Sequence, residues 1–132
     1  MGLVGIDVGI IRLQASCGLP GAIARASDLL PDDCWNPNTI RAVVGGFVRG
    51  DPKGFHAKSG AGYAWLRAVI LRVDERNPQM GAALSKLLLD YADYDEQRAG
   101  LMREELQCIL ESKGISKDTQ EVASRALGVS ML

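Results

Sequence analysis

The chain has 132 residues, 47% of them hydrophobic but only 5% aromatic, so it suits one domain with an aliphatic, Ala-rich core, which favours close-packed helices over a β-sandwich. The formal net charge is −1, with six Lys/Arg against five Asp/Glu in residues 1–60 and nine against eleven in 61–132. Without a basic stripe, neither nucleic acid nor an acidic membrane surface is an expected partner.

In residues 1–10, Val4, Ile6, Val8 and Ile10 alternate with Gly5, Asp7 and Gly9 in a strand-like period, while Ile10, Ile11 and Leu13 also fit the start of a helical face. The apolar run over 3–13 is interrupted by Asp7 and Arg12, and no cation precedes it. It reads as neither signal peptide nor membrane span, and Ile6 stands where N-myristoylation at Gly2 needs Ser or Thr. The expected localisation is cytoplasmic.

Pro20 opens a short helix carrying Ile23, Leu29 and Leu30, stopped by Pro31 and the turn-like Asp32-Asp33. Asn36-Pro37 starts the next, since Asn accepts a backbone N–H bond as N-cap and Pro lacks the N–H that would go unpaired at the first helical position. Ile40, Val43, Val44 and Phe47 then fall on one face until Gly50-Asp51-Pro52 ends it. After a loop through Gly54, a helix over 59–76 holds Tyr63, Trp65, Leu66, Val69, Ile70 and Val73 with few charges, so it is expected to be nearly enclosed.

A second pair, Asn77-Pro78, opens a helix whose inward face is Met80, Leu84, Leu87, Leu88 and Tyr91. Asp95 caps another with the stripe Ala99, Met102, Leu106, Ile109 and Leu110, followed by Gly114. Ser116 caps the last, which bears Val122, Ala126 and Leu127 and stops at Gly128.

The two Asn-Pro pairs are 41 positions apart, within the roughly 40 to 47 residues of a two- or three-helix solenoid repeat. The expected fold is all-α: antiparallel helix pairs stacked as a HEAT/armadillo-like superhelix. Residues 1–132 read as one helical domain. Two repeats are clear where a solenoid needs about three, so the ragged start over 1–10 reads as the cut end of a longer array.

Candidate chemistry is sparse. Cys17, Cys34 and Cys108 are odd in number and widely spaced, which suits reduced thiols rather than a zinc or disulfide framework. His56 is the single histidine, so there is no His pair for zinc and no HExxH. Ser59-Gly60-Ala61-Gly62 lacks the Lys-Ser/Thr of a phosphate loop and reads as small residues that let a helix start lie close to its neighbour. Asp90, Asp93, Asp95 and Glu96 lack the Gly and terminal Glu of an EF-hand and read as acids at a helix start. No catalytic residue, metal ligand or cofactor is expected in this chain.

The string NPNTIRAVVGGFVRGDPKGFHAKSGAGYAWL, followed by ERNPQM and YDEQRAGLM, resembles the C-terminal helical domain of the zinc aminopeptidase N family, the alanyl aminopeptidases of bacteria and apicomplexan parasites. The family pattern is approximately N-P-N-x-x-R, F-H-x-x-D-G-x-G-Y, R-N-P-Q and Y-D-x-x-R-Q-x-x-M. It is met at Asn36, Pro37, Asn38, Arg41, Phe55, His56, Gly60, Gly62, Tyr63, Arg76, Asn77, Pro78, Gln79, Tyr94, Asp95, Arg98 and Met102. Similarity runs from about Ile11 to about Leu127. Ser59 departs from the usual Asp, Ile10 stands about where a Trp is common, and the segment before Asn36 is shortened.

The resemblance implies a superhelix that closes over a catalytic domain and shapes an enclosed chamber through which peptides reach a zinc ion. In the family that zinc is held by HExxH and a later Glu, with a GAMEN-type segment for the free amine and a Tyr for the oxyanion. None of these motifs is present here, so the chain alone is expected to be inactive. Its implied partners are the catalytic domain and the peptide substrate. The positions matching Arg41 and Gln79 face the chamber in bacterial relatives, as does an Arg one turn later, which is Ala83 here. Arg41 thus becomes a candidate to pair with a substrate carboxylate. The rival reading is a stand-alone helical-repeat adaptor; a third is a vestigial fragment with exposed apolar surface.

Overall fold

In the computed structural model, residues 22–31, 34–50, 52–57 and 59–128 are described. The strand-like start, Pro20, Asp32-Asp33 and Cys17 lie outside them. All regular elements among the described residues are helical: α1 (Ala22–Leu29), α2 (Pro37–Gly50), α3 (Pro52–Phe55), α4 (Ala61–Asp74), α5 (Pro78–Ser85), two 3₁₀ turns (Lys86–Leu88 and Tyr91–Asp93), α6 (Glu96–Glu111) and α7 (Lys117–Leu127). The chain divides into two compact units, with the boundary after Gly62.

In the first unit, α1, α2 and α3 pack on one another. The face read for α2 is the buried one: Ile40, Val43, Val44 and Phe47 are at most 2% exposed. Each such side chain, fully buried, contributes about 2 kcal/mol of apolar transfer. The segment expected to loop through Gly54 instead makes the single helical turn α3. Its Pro52 carbonyl accepts the His56 N–H at 2.8 Å, and Phe55 is buried with its ring edge-on to Phe47, 5.9 Å away at 85°. Burial of Phe55 thus folds a stretch that looks irregular by composition.

Gly62 explains the small residues before α4. A Cβ there would lie 2.8 Å from the Phe55 Cα, so the helix start abuts the backbone of α3 and only glycine fits. Gly60 has φ 79°, a left-handed turn that also favours glycine.

In the second unit, α4 is nearly enclosed as expected: Tyr63, Leu66, Val69, Ile70, Val73 and Asp74 are buried. α6 and α7 pack together, and α7 also packs on α5. α6 inserts Met102, Leu106 and Ile109, all 0% exposed, with Ala99 and Leu110 half-buried beside them. Arg67 of α4 reaches Glu105 of α6 through Nε at 2.6 Å.

One further sequence expectation is corrected here. The helix opened by Asn77-Pro78 does not run on to Tyr91; it passes into a 3₁₀ turn after Ser85. The buried Ser85 hydroxyl donates to the Gly81 carbonyl at 2.8 Å, and such back-bonding competes with the backbone bond and bends helices. The bend leaves the Tyr91 hydroxyl donating to the Ala126 carbonyl at 2.9 Å. In α7, Val122, Ala126 and Leu127 are half-buried and the fully covered residues are Thr119, Ala123 and Ser124.

Candidate functional site

The two Asn-Pro pairs build two capped helix starts. Asn36 Oδ1 accepts the backbone N–H groups of Asn38 at 2.9 Å and Thr39 at 3.3 Å, and its carbonyl accepts from Ile40 at 3.0 Å. Asn77 Oδ1 accepts from Met80 N–H at 3.1 Å, and its carbonyl from Gly81 at 2.9 Å. Orphan donors of both first turns are thereby satisfied.

Each start presents one of the polar residues singled out in the sequence. Arg41 is exposed on α2 while Ile40 and Ala42 beside it are buried, and Gln79 is exposed on α5 next to buried Met80. Neither side chain is tied to another described residue by a hydrogen bond or ion pair. Arg41 belongs to the first unit and Gln79 to the second. Ala83, one turn after Gln79, is also exposed.

The remaining motif residues hold the scaffold. His56 is half-buried, its ring edge-on to Phe55 at 4.8 Å and 73°. Asp95 caps α6 by accepting the Arg98 N–H at 3.1 Å, and its other oxygen takes the Arg98 guanidinium at 2.7 Å. These bonds hold the Asp95 carboxyl below its ordinary range and push Arg98 up. Burial pushes the Tyr63 phenol up to about 12; Arg98 opposes the shift, and Tyr94, Asp95 and Asp90 reinforce it. Tyr94 is raised too, first by burial and then by Asp90. Tyr63 is therefore a neutral hydroxyl at physiological pH, not a general base.

Sequence reasoning missed a heavily bonded side chain of the second unit. Asp74, the last residue of α4 and 4% exposed, accepts the Ser116 N–H at 2.8 Å, the Ser116 hydroxyl at 2.5 Å and the Thr119 hydroxyl at 2.5 Å. Ser116 is the N-cap of α7, its Oγ also accepting from Thr119 N–H. A carboxylate closing a helix is opposed by the carbonyl dipoles there. That unfavourable placement at Asp74 was the available signal that a partner had to exist.

No group of three or more His, Cys, Asp or Glu suited to a metal occurs among the described residues, and no helix among them is long and apolar enough to cross a membrane. Cys34 is half-buried and Cys108 exposed, both as free thiols. The arrangement supplies exposed polar groups on capped helix starts.

Residues 11–128 match the family described as a domain of unknown function (DUF3458_C) of ARM repeats, in agreement with the all-helical repeat fold. The chain is 43% identical over 112 residues to aminopeptidase N of Caulobacter vibrioides, covering 83% of this chain and 13% of that protein. It is 39% identical over 92 residues to aminopeptidase N of Haemophilus influenzae, covering 70% and 11%. Among solved structures, aminopeptidase A of Legionella pneumophila in complex with aspartic acid superimposes with a TM-score of 0.82 at 28% identity, covering 93% of this chain and 15% of that one. The chain thus spans less than a sixth of the length of each of these proteins.

Proposed function

Because this chain belongs to the DUF3458_C family of ARM repeats, the C-terminal domain of the aminopeptidase N family, we propose that it is the non-catalytic helical part of a zinc metallo-aminopeptidase. It caps the catalytic domain and shapes the chamber through which peptides pass to have their N-terminal residues removed. The observation that carries this reading is the 43% identity over 112 residues to an aminopeptidase N. That similarity takes in the two helix starts where Arg41 and Gln79 stand exposed.

The chemistry belongs to the catalytic domain. The described residues offer no cluster that fits zinc, so the ion that would polarise the scissile carbonyl and water is assigned to that domain. This chain's part is to orient and select. The Arg41 guanidinium offers a planar fork for a peptide carboxylate. Gln79, at the second position of a capped helix, offers an amide to the peptide backbone. Both sit on helices rather than loops, which keeps their geometry rigid. The enzyme acts in the cytoplasm.

An antibody raised against this chain separates this reading from the adaptor. In extracts of the source cells it should detect a polypeptide several-fold larger than 14.2 kDa, carrying aminopeptidase activity when immunoprecipitated. A single band near 14.2 kDa without activity would instead support the free-standing helical-repeat protein.

A further inference from the structure

The last helix of the second unit is held differently from its neighbours. α5 and α6 bury large apolar side chains, Met80 and Leu84 in one and Met102, Leu106 and Ile109 in the other. α7 buries only Thr119, Ala123 and Ser124. Its larger residues Val122 and Leu127 are half-exposed, so α7 brings little large apolar side-chain area of its own to its packing on α5 and α6.

To this packing, polar contacts are added at both ends of α7. The buried Asp74 carboxylate takes three donors from Ser116 and Thr119 at the N-terminal end. The Tyr91 hydroxyl donates to the Ala126 carbonyl near the C-terminal end, where helix carbonyls otherwise lack partners. Between them the Ser124 hydroxyl is buried without a hydrogen-bond partner, a cost that contact with water would remove. The surface pair Arg125–Glu121 joins two residues of α7 itself and does nothing to dock it.

We propose that α7 is a clasped cap: a helix that opens as a unit while α4 and α6 stay folded, with Asp74 as the clasp and Tyr91 as the second catch. An 11-residue helix is marginal in water by itself, so release of the clasp unwinds it. This opening is a local, low-energy event, distinct from global unfolding.

Native-state hydrogen exchange on the full chain, followed by mass spectrometry at low denaturant, tests it. In the wild type the α7 amides should exchange through a separate opening, ahead of those of α6. Asp74→Asn, which removes the charge that strengthens three hydrogen bonds, should speed α7 exchange about 10- to 100-fold and leave α6 unchanged. Ser124→Ala should slow α7 exchange and again spare α6. The proposal is overturned if α6 and α7 exchange together in the wild type, or if Asp74→Asn accelerates both alike. Should Asp74→Asn not fold, Tyr91→Phe decides by the same comparison: faster exchange confined to α7 supports the clasp, and an equal change in α6 refutes it.

Discussion

Gly81 of α5 lies so close to Thr119 of α7 that a Cβ on the glycine would come 2.9 Å from the threonine hydroxyl oxygen and 2.6 Å from Asp74 Oδ1. The missing side chain is what lets two helices and a buried carboxylate meet at one point. Gly81→Ala should therefore destabilise the chain by about 1–3 kcal/mol, although alanine is the better helix former, because overpacking outweighs propensity. Urea denaturation reads this as a lower midpoint with an unchanged slope; an equal or higher midpoint would mean that Asp74 and Thr119 can move aside.

The caps are expected to contribute separately. Asn36→Ala and Asn77→Ala should each lower stability by about 1 kcal/mol, and the corresponding Asn→Gly changes should cost less than that. Thermal melts of the four variants give the ranking. Unchanged melts for the Ala variants would show that the side-chain bonds to Thr39 and Met80 are not what the helix starts depend on.

Arg41 and Gln79 should behave in the opposite way. Both are exposed, so Arg41→Ala and Gln79→Ala should leave stability within about 0.5 kcal/mol of the parent. In the full-length enzyme, Arg41→Ala is expected to raise KM roughly 10-fold for peptides with a free C-terminal carboxylate, the size of a lost charge-assisted hydrogen bond. Peptides with an amidated C-terminus should be spared. Equal effects on both substrates would remove the carboxylate from the account.

Tyr63 gives the second unit an alkaline limit. Burial raises the phenol from its ordinary 10.0 to about 12, so folding favours the protonated form. The sign follows: this contribution is fully present below about pH 10 and is lost as pH rises from there towards 12. Absorbance at 295 nm should show a phenolate step near pH 12 that disappears in Tyr63→Phe. The variant's stability should also fall less steeply with pH across that window.

Local signals were read with most success where the physics itself is local. Asn36, Asn77, Asp95 and Ser116 each cap the helix they precede, because an N-cap bond spans three residues and depends on nothing further away. Gly114 and Gly128 adopt φ 84° and 69° after the ends of α6 and α7 for the same reason. The faces of α2 and α6 followed from periodicity. On α7 the covered residues are the small Thr119, Ala123 and Ser124, which periodicity does not mark because it does not register size.

The candidate residues were named from their sequence blocks. Arg41 and Gln79 stood out because they follow Asn-Pro starts in a motif resembling the aminopeptidase N family, and both lie exposed at such starts. Asp74 carried no comparable mark. Its partners lie 42 and 45 positions along the chain, and only packing makes an ordinary charge at a helix end into a desolvated group that must find donors.

By itself the sequence determined that this protein is a series of helices, several of them with a readable cap and inward face, since hydrogen bonds within a turn and 3.6-residue periodicity are properties of short stretches of chain. The tertiary structure alone decided that a helix breaks at Ser85, that Gly81 admits no side chain, and that Asp74 clasps α7. Those outcomes depend on which groups are driven out of water together, and distant segments decide that only once they have met.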